Sequence, residues 1–221
     1  MNKIVVIAPH TDDETLGAGG YLLKRKSEGD VIYWINVTNV KVEYGYSIEE
    51  VKRWNEIIHM VSQKFNFKEV FDLALEPSSL DKMEKSLLIS MLRTCLDNIQ
   101  PDIVLLPFYD DTHSDHRVVF DAAIACCKSF RNPQIKKVMC MEIISETDYA
   151  ISDRGFLPNY FVDISDYIDE KVEILELYKS EVHESPFPRS VDAIIALAKY
   201  RGASCYSHYA EAFRIVKEVE R

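Results

Sequence analysis

The chain lacks the marks of a membrane, secreted or disulfide-held protein. No apolar run approaches the roughly 20 residues that cross a bilayer. The apolar stretch at residues 4–8 has a strand's length and lacks a signal peptide's longer core, which predicts a cytoplasmic protein with no membrane partner. Five cysteines, odd in number and irregularly spaced, with Cys126 and Cys127 inside a predicted helix, read as buried thiols and not as bridges or a cysteine-type zinc cluster. Positive charge is short as well. Lys and Arg number 26 against 36 Asp and Glu, the net charge is -10 and no basic patch offsets it, so nucleic acid is not an expected partner. Internal repeats, low-complexity tracts and Pro/Gly/Ser linkers are missing, and residues 1–221 read as one domain.

What is present is the 47% hydrophobic content of a globular protein, arranged in alternating β-branched runs and helical-period segments. Strands are predicted at 4–8, 31–37, 69–73, 103–106, 138–143 and 160–162. Helices are predicted at 16–27, 48–63, 80–99, 116–128, 168–179 and 190–202, while 212–219 reads as either a strand or a helix. This βαβα order predicts an α/β fold, a mostly parallel sheet with helices on both faces, whose ligands gather at the carboxyl ends of strands.

Chemistry-bearing residues collect at two such ends. The first strand leads into Pro9-His10-Thr11-Asp12-Asp13-Glu14, and the strand at 103–106 leads into Pro107-Phe108-Tyr109-Asp110-Asp111-Thr112-His113-Ser114-Asp115-His116. Two imidazoles and a carboxylate on one face of a divalent ion form a common catalytic set, and His10, Asp13 and His116 are the proposed ligands. Such an ion brings the pKa of water to about 7 and polarises a scissile carbonyl, as amide hydrolysis requires. Asp12 is then the base, His113 the acid or oxyanion stabiliser, and Asp115 the residue that orients an imidazole. The plainer reading makes Asp12 or Asp13 the cap of the helix near Thr15, and Asp111 or Ser114 the cap of the helix containing His116. Gly17-Ala18-Gly19-Gly20 does not have dinucleotide-loop spacing, and its small residues read as a helix packed close to the sheet.

Pro-His-Thr-Asp-Asp-Glu followed by Gly-Ala-Gly-Gly resembles the signature of the PIG-L/LmbE-type N-acetylglucosaminyl deacetylases, and His113-Ser114-Asp115-His116 resembles its partner motif. Arg53-x-x-Glu56, Arg201-Gly202 and the segment from Tyr209 to Phe213 add support along most of the chain. The resemblance implies a Rossmann-like fold and Zn2+ (or another divalent ion such as Fe2+) held by His10, Asp13 and His116. It also implies Asp12 as base, His113 as stabiliser or proton donor, an acetylated amino sugar or glycoside as substrate, and in some members a homo-oligomer. By the same resemblance Arg53 bonds sugar hydroxyls, against the alternative of an exposed helix charge.

Departures from the family pattern are Thr11 and Ser114 in place of prolines, Tyr206 where glycine is expected, and the loop of Tyr44 and Tyr46, whose rings either stack on a sugar or pack against the protein. Alternatives to deacetylation are hydrolysis of another small amide or ester, an iron(II) oxygenase, and a sugar- or nucleotide-binding module with a structural metal.

Overall fold

The computed structural model describes residues 1–150 and 155–220. In chain order the elements are β1 (Lys3–Ala8), α1 (Asp13–Ser27), β2 (Val31–Thr38), α2 (Ile48–Phe65), β3 (Glu69–Leu75), α3 (Lys85–Ile99), β4 (Ile103–Leu106), α4 (Ser114–Cys126), β5 (Lys137–Met141), β6 (Tyr160–Asp163), α5 (Ile168–Leu175), α6 (Val191–Ala203) and β7 (Ala210–Glu218). The strands form one seven-stranded sheet in the order β3-β2-β1-β4-β5-β7-β6. β1 to β5 pair in parallel, and β7 lies antiparallel between β5 and β6. The fold is the mostly parallel α/β sheet expected from the sequence.

The alternation of β1 explains the layers. Successive side chains of a strand point to opposite faces. Ile4, Val6 and Ala8 enter one core with Leu22 of α1, Phe65 of α2, Ile174 of α5 and Ile194 of α6. Val5 and Ile7 enter a second core with Leu92 and Leu96 of α3 and Val119 and Ala123 of α4. β1 is therefore apolar on both sides, as a strand covered on both faces must be. α1 lies close against the sheet because its small residues allow it. A Cβ on Gly17 would stand 2.8 Å from Met141 Cβ, and one on Gly20 would stand 2.7 Å from Ile164 Cδ1.

Several local signals set the boundaries. Ser47 and Glu50 make a reciprocal capping box at the start of α2, and Ser190 accepts the Ala193 amide at the start of α6. The segment 212–219 belongs largely to strand β7, which ends at Glu218. The predicted helix 80–99 is split, with a 3₁₀ turn at Leu80–Lys82 before α3. The predicted helix 168–179 stops at Leu175. Just beyond, Tyr178 is buried and donates its hydroxyl to Glu14 Oε1. Among the described residues, no helix is long and apolar enough to cross a membrane.

Candidate active site

The order of the sheet reverses direction between β1 and β4, since β2 and β3 lie to one side and β5 to the other. Crevices outside the carboxyl ends of strands form at such switch points. The loops leaving β1 and β4 carry the two motifs, and both open on a cleft of about 400 Å³. The first loop is tied down by Thr38, whose amide and hydroxyl both donate to the Pro9 carbonyl, at 3.0 and 2.8 Å. It then turns sharply, with the Asp12 and Asp13 amides both directed at the His10 carbonyl. Asp12 is held at φ 154°, ψ -23°, a conformation rare for a residue with a side chain and one that collects at functional sites.

His10, Asp13 and His116 converge. His10 Nδ1 lies 3.3 Å from His116 Nε2, and Asp13 Oδ2 lies 3.5 Å from the first and 3.3 Å from the second. The opposite nitrogen of each ring faces a buried carboxylate: His10 Nε2 is 3.0 Å from Asp115 Oδ2, and His116 Nδ1 is 2.8 Å from Asp111 Oδ2. These carboxylates are themselves fixed, Asp115 by the Ser78 and Leu80 amides and Asp111 by the Thr147 hydroxyl. In the neutral form of each ring, donation to a carboxylate on one side leaves the lone pair aimed at the shared centre. Two imidazole lone pairs and one carboxylate oxygen form a donor set that fits a divalent ion.

The buried charges around this centre act strongly on one another. Burial opposes a charged imidazole, yet Asp115 and Asp13 raise His10 to about 9, and Asp13 and Asp111 raise His116 to about 10. Burial would likewise raise Asp13, but His116 and His10 hold its carboxyl well below the usual range. Asp12 goes the other way. Burial, together with the neighbouring charges of Asp13 and Glu14, pushes it well above an ordinary aspartate, with Arg189 opposing.

Asp12 and His113 border the cleft beside the donor set. The Asp12 side chain makes no helix-capping bond; its Oδ2 accepts Arg189 Nη1 at 2.9 Å. His113 is the N-cap of α4, its Nδ1 accepting the Asp115 amide at 3.1 Å. That bond places the proton of the neutral ring on Nε2. Burial, then the nearby His10 and His116, press His113 down to about 4, so at neutral pH it is an uncharged donor.

The structure does not bring every singled-out residue here. Arg53 is exposed on α2, and that helix contributes Glu50 and Trp54 to the cleft instead. Tyr46 lines the cleft, whereas Tyr44 donates its hydroxyl to the Ala74 carbonyl. Tyr206 is fully exposed at φ 60°, the left-handed region that favours glycine. Among the residues of the site that carry no functional assignment from the sequence are Asp111, which reads there only as a cap, and Arg189 and Trp54. The signal for Asp111 is its place five residues before His116 on the same strand-end loop. Arg189 is 177 residues from Asp12 and has no local signal.

Residues 5–127 match the PIG-L family, described as GlcNAc-PI de-N-acetylase. The chain belongs to the PIG-L family. It is thereby an N-deacetylase, a hydrolase acting on an amide C–N bond. A relative of this PIG-L chain, the diacetylchitobiose deacetylase of Thermococcus kodakarensis, is 28% identical over 241 residues, covering 98% of this chain and 84% of its own. The crystal structure of the conserved protein TT1542 from Thermus thermophilus superposes with a TM-score of 0.80 at 23% identity, covering 100% of this chain and 97% of that one. The 4-carboxy-2-hydroxymuconate hydratase GalB of Pseudomonas putida shares the fold too, with a TM-score of 0.75 at 15% identity over 100% of this chain and 98% of its own. One architecture thus accommodates different reactions.

Proposed function

We propose that this PIG-L chain is a zinc-dependent hydrolase that removes the N-acetyl group from an N-acetylglucosamine-type sugar or glycoside. The observation that carries the reading is the convergence of His10, Asp13 and His116, each imidazole backed by a buried carboxylate, beside a further carboxylate and a neutral imidazole. A divalent ion held by these three residues would supply Lewis acidity and a water acidic enough to ionise near neutral pH.

The protein groups divide the remaining work. Asp12 takes the proton of the attacking water, a task suited to a carboxylate whose pKa burial has raised. The water oxygen bonds to the acetyl carbon, and the carbonyl oxygen becomes an oxyanion. His113 Nε2–H donates to that oxyanion, a role that fits an imidazole held neutral with Nδ1 already engaged. When the C–N bond breaks, Asp12 returns its proton to the departing amine, leaving acetate and a free amino sugar. Tyr46 and Trp54 offer ring faces for a sugar, and Ser180 offers a hydrogen bond to its hydroxyls. Free cysteines at all five positions support a cytoplasmic setting.

The test is release of acetate from N,N′-diacetylchitobiose and other acetylated amino sugars by zinc-reconstituted protein. Asp12→Asn is expected to lower kcat by about 10²–10⁴-fold while metal content is unchanged. Near-full turnover by that variant would remove Asp12 from the role, and no acetate from any acetylated amino sugar would sink the functional reading.

A further inference from the structure

Arg189 lies outside residues 5–127, and no step above uses it. It immediately precedes Ser190, the residue that caps α6, and that cap fixes where its side chain begins. From there the guanidinium reaches three partners: Nε–H donates to Ser145 Oγ at 3.1 Å, and Nη1 to Asp12 Oδ2 at 2.9 Å and Glu181 Oε2 at 3.3 Å. Ser145 and Glu181 come from separate loops and both line the cleft. They brace the planar group, and the braced group grips one oxygen of Asp12.

The Asp12 carboxylate needs such a grip. Its side chain forms no capping bond, its backbone is strained, and it is followed by two further carboxylates, Asp13 and Glu14. Repulsion from those neighbours would turn an unrestrained carboxylate away from them. We propose that Arg189 is a positioning residue: by holding Oδ2 of Asp12 it leaves the other oxygen directed at the reacting water. The inference rests on the deacetylase reading for its kinetic consequence, though not for its geometric one. A lysine ammonium reproduces the charge but not the fixed fork that meets three acceptors at once.

The experiment measures kcat and KM of zinc-loaded wild type, Arg189→Lys and Arg189→Ala on N,N′-diacetylchitobiose, with zinc content checked and a crystal structure of each variant. A small misplacement of a reacting group costs on the order of 10²-fold, so kcat should fall about 10–100-fold in Arg189→Ala with KM within about twofold, and Arg189→Lys should lie between. The Asp12 side chain should leave its wild-type orientation in Arg189→Ala. Unchanged kcat, a loss confined to KM, or an Asp12 that keeps its place would each overturn the proposal, the second by making Arg189 a substrate anchor. Should Arg189→Ala fail to fold, Arg189→Lys supplies both readouts with the same criteria. If wild type itself releases no acetate, the deacetylase reading falls, and the crystallographic position of Asp12 alone decides whether Arg189 places it.

Discussion

Replacing Asp111 by asparagine tests whether the carboxylate behind His116 organises the proposed metal centre. The Asp111 side chain is fully buried, with Oδ2 facing His116 Nδ1 at 2.8 Å and the Phe108 amide at 3.3 Å, and Oδ1 accepting the Thr147 hydroxyl at 2.7 Å. Asparagine has the same shape but only one acceptor oxygen. If that oxygen serves His116, the amide nitrogen meets Thr147, whose hydroxyl already accepts the Ile143 amide and then loses its own acceptor. If the oxygen serves Thr147 instead, nitrogen faces the His116 N–H and Phe108 N–H, donor against donors. In either arrangement the negative charge that polarises His116 is gone. Loss of such a partner costs about 10–100-fold in metal affinity, which corresponds to about 1.4–2.8 kcal/mol. Competition against a zinc chelator at neutral pH reads this directly, with circular dichroism to confirm that the variant is folded. A zinc Kd in folded Asp111→Asn equal to that of wild type would refute the assignment, and Asp111 would then be no more than a packing element of its loop.

Two further outcomes follow from the packing. Gly20→Ala drives a methyl group against Ile164, and overpacking of this kind destabilises by about 1–3 kcal/mol, seen as a lower Tm in calorimetry; an unchanged or raised Tm would show that α1 can shift away from Ile164 freely. Of the five thiols, Cys205 is exposed and the others are buried, with burial pushing Cys95 up to about 11 and Cys127 up to about 12, so an alkylating reagent at pH 8 should label one site rapidly in the native protein and none in Cys205→Ser. Rapid labelling at a second site would contradict the burial.

The legible part of the site is the part made of short-range pattern. A strand followed at once by His10 to Glu14, and another followed by a loop ending at His116, specify two clusters and, through the parallel sheet, their meeting place. Asp111 is visible but open to two meanings, because a carboxylate just before a helix is as good a cap as it is a partner for an imidazole. The structure separates them: His113 occupies the cap position and Asp111 reaches His116. Arg189 is illegible for a different reason. Its contacts arise only when the loop before α6 folds back over the carboxyl end of β1, and nothing in residues 180–190 marks that return. β7 is ambiguous because its first four residues, Ala210 to Phe213, are all buried, which erases the alternation that identifies a half-exposed strand. Glu211 among them is buried with Lys171 as its ion-pair partner, so even its charge does not mark a surface face. The helix expected to run to residue 179 continues its apolar pattern through Leu177 and Tyr178, but Tyr178 serves Glu14 from a turn.

The position of β7 also sets an order of events in time. It is the strand latest in the sequence, yet it sits inside the sheet, with β5 on one side and β6 on the other, and among the described residues β6 pairs with β7 alone. During synthesis the amino-terminal strands can associate as they emerge, but β6 must wait with an open edge until β7 threads in beside β5. Phe213, which plugs the core against Tyr21, arrives only with that strand. Folding of the half-sheet around β1 and β4 and completion of the other flank are therefore separated by the time needed to make roughly half the polypeptide, an interval in which the incomplete edge is the surface most exposed to wrong pairing.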